Sequence, residues 1–293
     1  GVITGIDRID GDLGGVVGSG SASQLFTFHI TSSALLFLMP ATIGLAMVVV
    51  PLQVGARAIA FPRAAAASYW GFLLGAALVA TAYVIDGGPG GGRADGVDLW
   101  ITSIGLVVVS LLLASVSIAT TVLAGRADGM TLDRVPMFAW SLLCTTVVWL
   151  LTLPVALALL VILYLDHRYG GSFTGSSGAT MHQHVSWVVQ QPQVYVLAVP
   201  VLGIALDTVS TATGRALPQR AAARTLIGAF AVLGIGAFAL TSIDASVADQ
   251  PVTKGMALLA PLPVLGVIGL VALALKGGPP RPTSGMIGGV VAL

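Results

Sequence analysis

Of 293 residues, 56% are hydrophobic and only 9% charged, and the formal net charge is +1; the mean hydropathy is +0.97. A soluble domain of this length needs a polar shell that this composition cannot supply, and a near-neutral charge gives no reason to invoke nucleic acid. What remains is a polypeptide whose solvent is the lipid bilayer.

Residues 1–23 are rich in Gly and Asp and read as an external loop. The chain opens at Gly1, with no cationic stretch and apolar run of signal-peptide form before residue 24, so a fragment or processed product is expected. Seven apolar stretches then follow, near 24–50, 68–85, 99–123, 137–165, 185–211, 222–243 and 255–275. Each is close to the ~20 residues a helix needs to cross a hydrocarbon layer of ~30 Å. Uninterrupted apolar runs lack the alternation of barrel strands, so the expected fold is all-α: one bundle of about seven transmembrane helices over 24–276. Pro40, Pro154, Pro200, Pro261 and Pro263 should kink their helices, and Gly71 with Gly75 should allow close helix contact.

The connections are mainly punctuation. IDGGPGGGRADGVD at 85–98 has no strand before it and fits neither glycine fingerprint for phosphate, so it reads as a flexible loop. GGPPRPTSG at 277–285 reads as an extended tail, because adjacent prolines forbid helix, and 286–293 as the start of a further helix. Basic residues divide unevenly: Arg57, Arg63, Arg126, Arg134, Arg215, Arg220, Arg224, Lys276 and Arg281 on one side, Arg8, Arg93, Arg168 and Lys254 on the other. By the positive-inside rule the arginine-rich loops are cytoplasmic and the N-terminal segment lies outside a cell (inner) membrane.

The stretch QLFTFHITSSALLFLMPATIGLAMVVVPLQVGARAIAFPR at 24–63 carries one imidazole, His29, eleven residues before Pro40. It resembles the second transmembrane helix of subunit I of the heme-copper oxidases, the cytochrome c and quinol oxidases, where a histidine so placed ligates the low-spin heme. GVDLWI at 96–101, ATTVLAGRADGMTLDRVPMFAWSLLCTT at 119–146, HRYGGSF at 167–173 and QHVSWVVQQPQVYVLAVPVLGI at 183–204 are similar, in order, to later parts of that subunit. The likeness covers about residues 22–275, the family's second to eighth helices. It implies an oxidase subunit I-like integral membrane protein of the respiratory chain, with heme as cofactor and other respiratory-complex subunits and the bilayer as partners.

At the chemistry-bearing positions the chain departs from the pattern. The family's copper is held by three imidazoles, a donor set suited to copper cycling. One comes from a His-Pro-Glu-Val-Tyr motif, which here reads Gln191-Pro192-Gln193-Val194-Tyr195, and the other two from a His-His pair matched by Leu240 and Thr241. A primary amide is a poor copper ligand and leucine is none, so copper is not expected and Tyr195 is the retained motif residue. Proton-path positions are replaced too: Ala58 for an aspartate, Ala64 to Ala67 and Ser117 for asparagines, Gln193 for a glutamate that would titrate.

Two roles fit His29: a hydrogen bond to a neighbouring carbonyl at the membrane interface, or heme ligation, which needs a second axial ligand from elsewhere. His184 suits an interfacial structural role and His167 a solvated loop, while His182 is poorly placed to share a helical face with His184. Tyr195 suits a packed aromatic, Asp207 a carboxylate snorkelling to the cytoplasmic interface rather than a proton relay, and Cys144 a packed core thiol. The expected function is a non-catalytic, heme-holding or scaffold homologue of oxidase subunit I. The alternatives are a fragment of a terminal oxidase coupling O2 reduction to proton translocation, and a transporter reusing the scaffold.

Overall fold

The computed structural model describes residues 19–170, 191–217, 219–237, 251–276 and 284–291. Every long element in it is helical. The first is Ser19–Thr31 (α1), continued by a π-helical turn, Ser32–Leu38, and by Met39–Val54 (α2). Next come Pro62–Val84 (α3), Ala94–Ala124 (α4), a 3-10 turn at Leu132–Arg134 and Met137–Tyr169 (α5). Gln191–Thr213 (α6), Arg220–Ala237 (α7), Pro251–Leu259 (α8), Pro261–Lys276 (α9) and Ser284–Val291 (α10) complete the order.

Six segments among the described residues are long and apolar enough to span a bilayer: Gln24–Val54, Pro62–Val84, Ala94–Ala124, Met137–Tyr169, Val196–Thr213 and Lys254–Lys276. The remaining expected span, 222–243, begins as α7, and its last residues, 238–243, lie outside the described residues. In the α4 span 61% of the most apolar stretch is buried, against 33% for Gln24–Val54, so α4 is central and α1–α2 peripheral. α4 packs between α3 and α5, and α5 packs in turn on α6. The largest fully buried side chains, Trp100 and Trp149, sit on the central pair α4 and α5.

Small residues set the closest approaches. A Cβ on Gly71 would fall 2.6 Å from Ser110 Oγ, and one on Gly75 would fall 2.8 Å from Val107 Cγ2, so α3 and α4 touch backbone to side chain where the sequence predicts it. Gly203 does the same for α6 on α5, where a Cβ would lie 2.6 Å from the Met137 carbonyl oxygen.

The prolines act in distinct ways. Pro40 stands just beyond the π-helical turn, whose last bond runs from Met39 N–H to the Ala34 carbonyl, five residues back. A proline ring clashes with the carbonyl four residues earlier, and the wider turn is a local way to accommodate it. Pro261 opens α9 after a break at Ala260 that separates α8 from it. The 85–98 loop is not the loose connection expected from its glycines. Asp86 accepts the Gly92 N–H (3.0 Å) and the Gln24 side-chain amide (2.8 Å), and Gly87 lies against the Gly96 backbone too closely for any Cβ.

Hydrogen bonds among helix ends and connections define two ends of the bundle. At one, Ala127 N–H donates to the Val54 carbonyl (2.9 Å) and Arg220 to the carbonyls of Arg134 and Val135. This end gathers the arginine-bearing loops. At the other, Gln24 meets Asp86, and Asp98 meets His167.

Candidate functional site

Along the first span, residues alternate between two faces at helical spacing. Thr27, Thr31, Leu35, Met39, Ile43, Ala46, Val50 and Val54 are buried against the bundle. Phe26, His29, Ser33, Phe37, Ala41, Gly44, Leu45, Val48 and Leu52 form an exposed stripe. His29 is therefore on the outward face, near the end opposite the arginines. Phe26 (42% exposed) precedes it and Phe37 (72% exposed) follows it on the same stripe.

The backbone around His29 is unusual. Its carbonyl accepts hydrogen bonds from the hydroxyls of Ser32 (3.2 Å) and Ser33 (2.7 Å), and the π-helical turn begins directly after Thr31. Such turns recur at functional sites. Here the turn keeps His29, Ser33 and Phe37, spaced by four, on one line.

Of the copper-site positions, Gln191 begins α6 and Tyr195 lies one turn further on, but their side chains, like that of Gln193, are outside the described residues. Leu240, Thr241, His182 and His184 are outside them altogether. Among the described residues no group of three or more His, Cys, Asp and Glu side chains converges as a metal site. Cys144 is a free thiol, half-buried and packed against the core. Ser117 is fully buried and donates to the Leu113 carbonyl (3.0 Å), whereas Ala58 lies in the loop after α2 and Ala64 to Ala67 form the first turns of α3.

Two expectations are corrected. His167 is no solvated loop residue: it lies in the last turn of α5, half-buried, with Nδ1 2.7 Å from Asp98 Oδ1. The adjacent Arg168 reaches Asp95 (3.3 Å) and Asp98 (3.2 Å), so the start of α4 and the end of α5 are joined by an ion-pair cluster. Asp207 does not snorkel to solvent. It is half-buried on α6, and its two carboxylate oxygens accept the N–H groups of Met137 (3.0 Å) and Phe138 (2.9 Å), the first residues of α5. Gln53 on α2 completes this cap, its carbonyl oxygen accepting Ala139 N–H (3.1 Å) while its amide faces Asp207 (3.4 Å). The first N–H groups of a helix have no partner within it, and a carboxylate there also meets the positive end of the helix dipole. Sequence reading missed Gln53. The available signal was an amide at the end of an apolar span, a position where polar groups are retained only with a partner.

Around the cap, Arg224 donates to the Leu132 carbonyl (3.2 Å) and lies 5.9 Å from the Trp140 ring centroid, and the Trp140 indole donates to the Arg224 carbonyl (3.2 Å). Arg126 donates to the carbonyls of Met130 and Val122. These cations are spent on backbone carbonyls, which makes them structural.

Stacked apolar helices, two polar ends and an exposed imidazole define a multi-pass, all-helical membrane protein. A family model described as cytochrome c and quinol oxidase polypeptide I matches residues 2–292, and the chain belongs to that family. The match extends beyond the 22–275 indicated by motifs. The chain is 35% identical over 210 residues, 66% of its length, to a putative cytochrome c oxidase subunit 1-beta of Streptomyces avermitilis, covering 37% of that protein. It is 35% identical over 203 residues, 64% of its length, to a probable subunit 1-beta of Nocardia farcinica, covering 34% of it. It is 33% identical over 207 residues, 64% of its length, to cytochrome c oxidase subunit 1 of Corynebacterium glutamicum, covering 36% of it. The chain thus spans little more than a third of the length of the curated relatives it matches. It is an oxidase subunit I-like membrane protein.

Proposed function

We propose that this chain is a heme-holding scaffold of a respiratory membrane complex, with His29 as one axial ligand and no copper of its own. The observation that carries the reading is the place of His29 on the outward stripe of α1, between the exposed rings of Phe26 and Phe37 and ahead of a π-helical turn. A planar prosthetic group can lie against such a face without disturbing the bundle. Heme, when bound, supplies a one-electron carrier, and the donor chemistry here fits one axial position. The other histidine among the described residues, His167, is engaged by Asp98, so a second imidazole would come from beyond them. Copper-free status rests on Gln191, Leu240 and Thr241 standing where the family's motif carries imidazoles. The arginine-rich end is assigned to the cytoplasmic side of the inner membrane by its charge.

The test is the absorption spectrum of the purified membrane protein, together with metal analysis. Low-spin heme bands that vanish in His29→Ala, with helicity retained, are the expected result. Bands unchanged in that variant would remove His29 from the role, absence of heme would leave scaffolding alone, and stoichiometric copper would overturn the copper-free assignment.

A further inference from the structure

At the arginine-rich end, the start of α3 and the last turns of α4 enclose a groove of about 650 Å³ lined by Phe61, Pro62, Arg63, Ala64, Leu113 and Val116. Its walls are almost wholly apolar apart from the Arg63 side chain. Leu113 and Val116 stand eleven and eight residues before Ala124, where α4 ends. The groove therefore runs roughly 12–16 Å from that end toward the bilayer interior at helical rise. Phe61 and Val116 are 55% and 39% exposed, so the groove opens to the outside of the bundle, where lipid lies.

Two features mark it as more than a gap between helices. Phe61 adopts φ 51°, a left-handed conformation costly for an aromatic residue. The preceding residue is held in place by a hydrogen bond from Ala60 N–H to the fully buried Thr121 hydroxyl (2.8 Å). That bond anchors the backbone just before Phe61, whose side chain lines the groove. Second, while Arg126, Arg220 and Arg224 at this end are bound to backbone carbonyls, Arg63 and the nearby Arg57 make no hydrogen bond or ion pair among the described residues.

We propose that this groove is a binding site for an anionic phospholipid, its phosphate on Arg63 and an acyl chain lying against Leu113 and Val116. A guanidinium at the rim recognises phosphate through paired N–H donors, and apolar walls below it suit a hydrocarbon chain. The site is separate from the His29 stripe and independent of heme.

The experiment titrates the purified full chain, in neutral detergent, with phosphatidylglycerol and with phosphatidylcholine of the same acyl chains, following bound lipid by native mass spectrometry. Phosphatidylglycerol is expected to bind preferentially. Arg63→Gln should weaken it about fivefold, the factor for losing ~1 kcal/mol from one interfacial cation. Val116→Trp, which fills the groove, should abolish the preference, and Arg215→Gln, an exposed arginine at the same end, should leave it intact. Equal binding of the two lipids would overturn the proposal. So would an equal loss in Arg63→Gln and Arg215→Gln, or preference persisting in Val116→Trp, since each would show diffuse attraction to the arginine-rich surface. Circular dichroism confirms that each variant is folded.

Discussion

The two ends of this bundle are held by different chemistry. At the arginine-rich end, side chains satisfy backbone: Asp207 and Gln53 receive the first N–H groups of α5, while Arg126, Arg220 and Arg224 donate to carbonyls of the connection before it. At the opposite end, apart from the Gly92 N–H that Asp86 accepts, side chains satisfy one another, in the Asp98–His167–Arg168–Asp95 cluster and the Gln24–Asp86 bond. Backbone groups at a helix terminus in an apolar setting have no alternative partner, so removing their cap leaves them desolvated and unpaired. Paired side chains near water can be rehydrated. One end is thus expected to be intolerant of substitution and the other forgiving.

That contrast can be broken in a definite order. The harshest change at the arginine-rich end is Gly203→Leu, because the added Cβ would meet Ser141 Oγ and also the backbone of Met137 and Phe138, which cannot swing aside. A loss of about 3 kcal/mol is expected, read as a fall in the thermal midpoint of the detergent-solubilised protein. Asp207→Ala should cost about 2–3 kcal/mol, since it strands the Met137 and Phe138 N–H groups. Asp207→Asn should recover part of that loss, having one carbonyl oxygen left to accept. A cost below about 0.5 kcal/mol for Asp207→Ala would mean that the cap does not hold the end together.

The opposite end should yield smaller numbers. Asp98→Asn removes the carboxylate charge that faces His167 and one of the two that Arg168 reaches, and is expected to cost at most about 1 kcal/mol, shrinking as salt is added. A loss as large as that of Asp207→Ala, insensitive to salt, would erase the distinction between the ends. The smallest effect belongs to His29→Ala. On the exposed stripe it should shift the stability of the heme-free protein by no more than about 0.5 kcal/mol, while removing the heme bands. A large destabilisation would make His29 a structural residue.

Membrane residence, the approximate spans and the grouping of cations were legible in the amino-acid sequence, because hydropathy and charge accumulate along the chain and need no knowledge of neighbours. The same holds for family membership, carried by motifs such as PLQVGA and GVDLWI. Tertiary structure decided which face His29 occupies, that the turn beside it is widened, and that His167 and Asp207 are bound rather than solvated. Each of those outcomes depends on where one helix stands against another. Asp207 and Met137 are 70 residues apart and meet only because α5 and α6 pack antiparallel at one end of the bundle, so no local pattern could announce the bond between them.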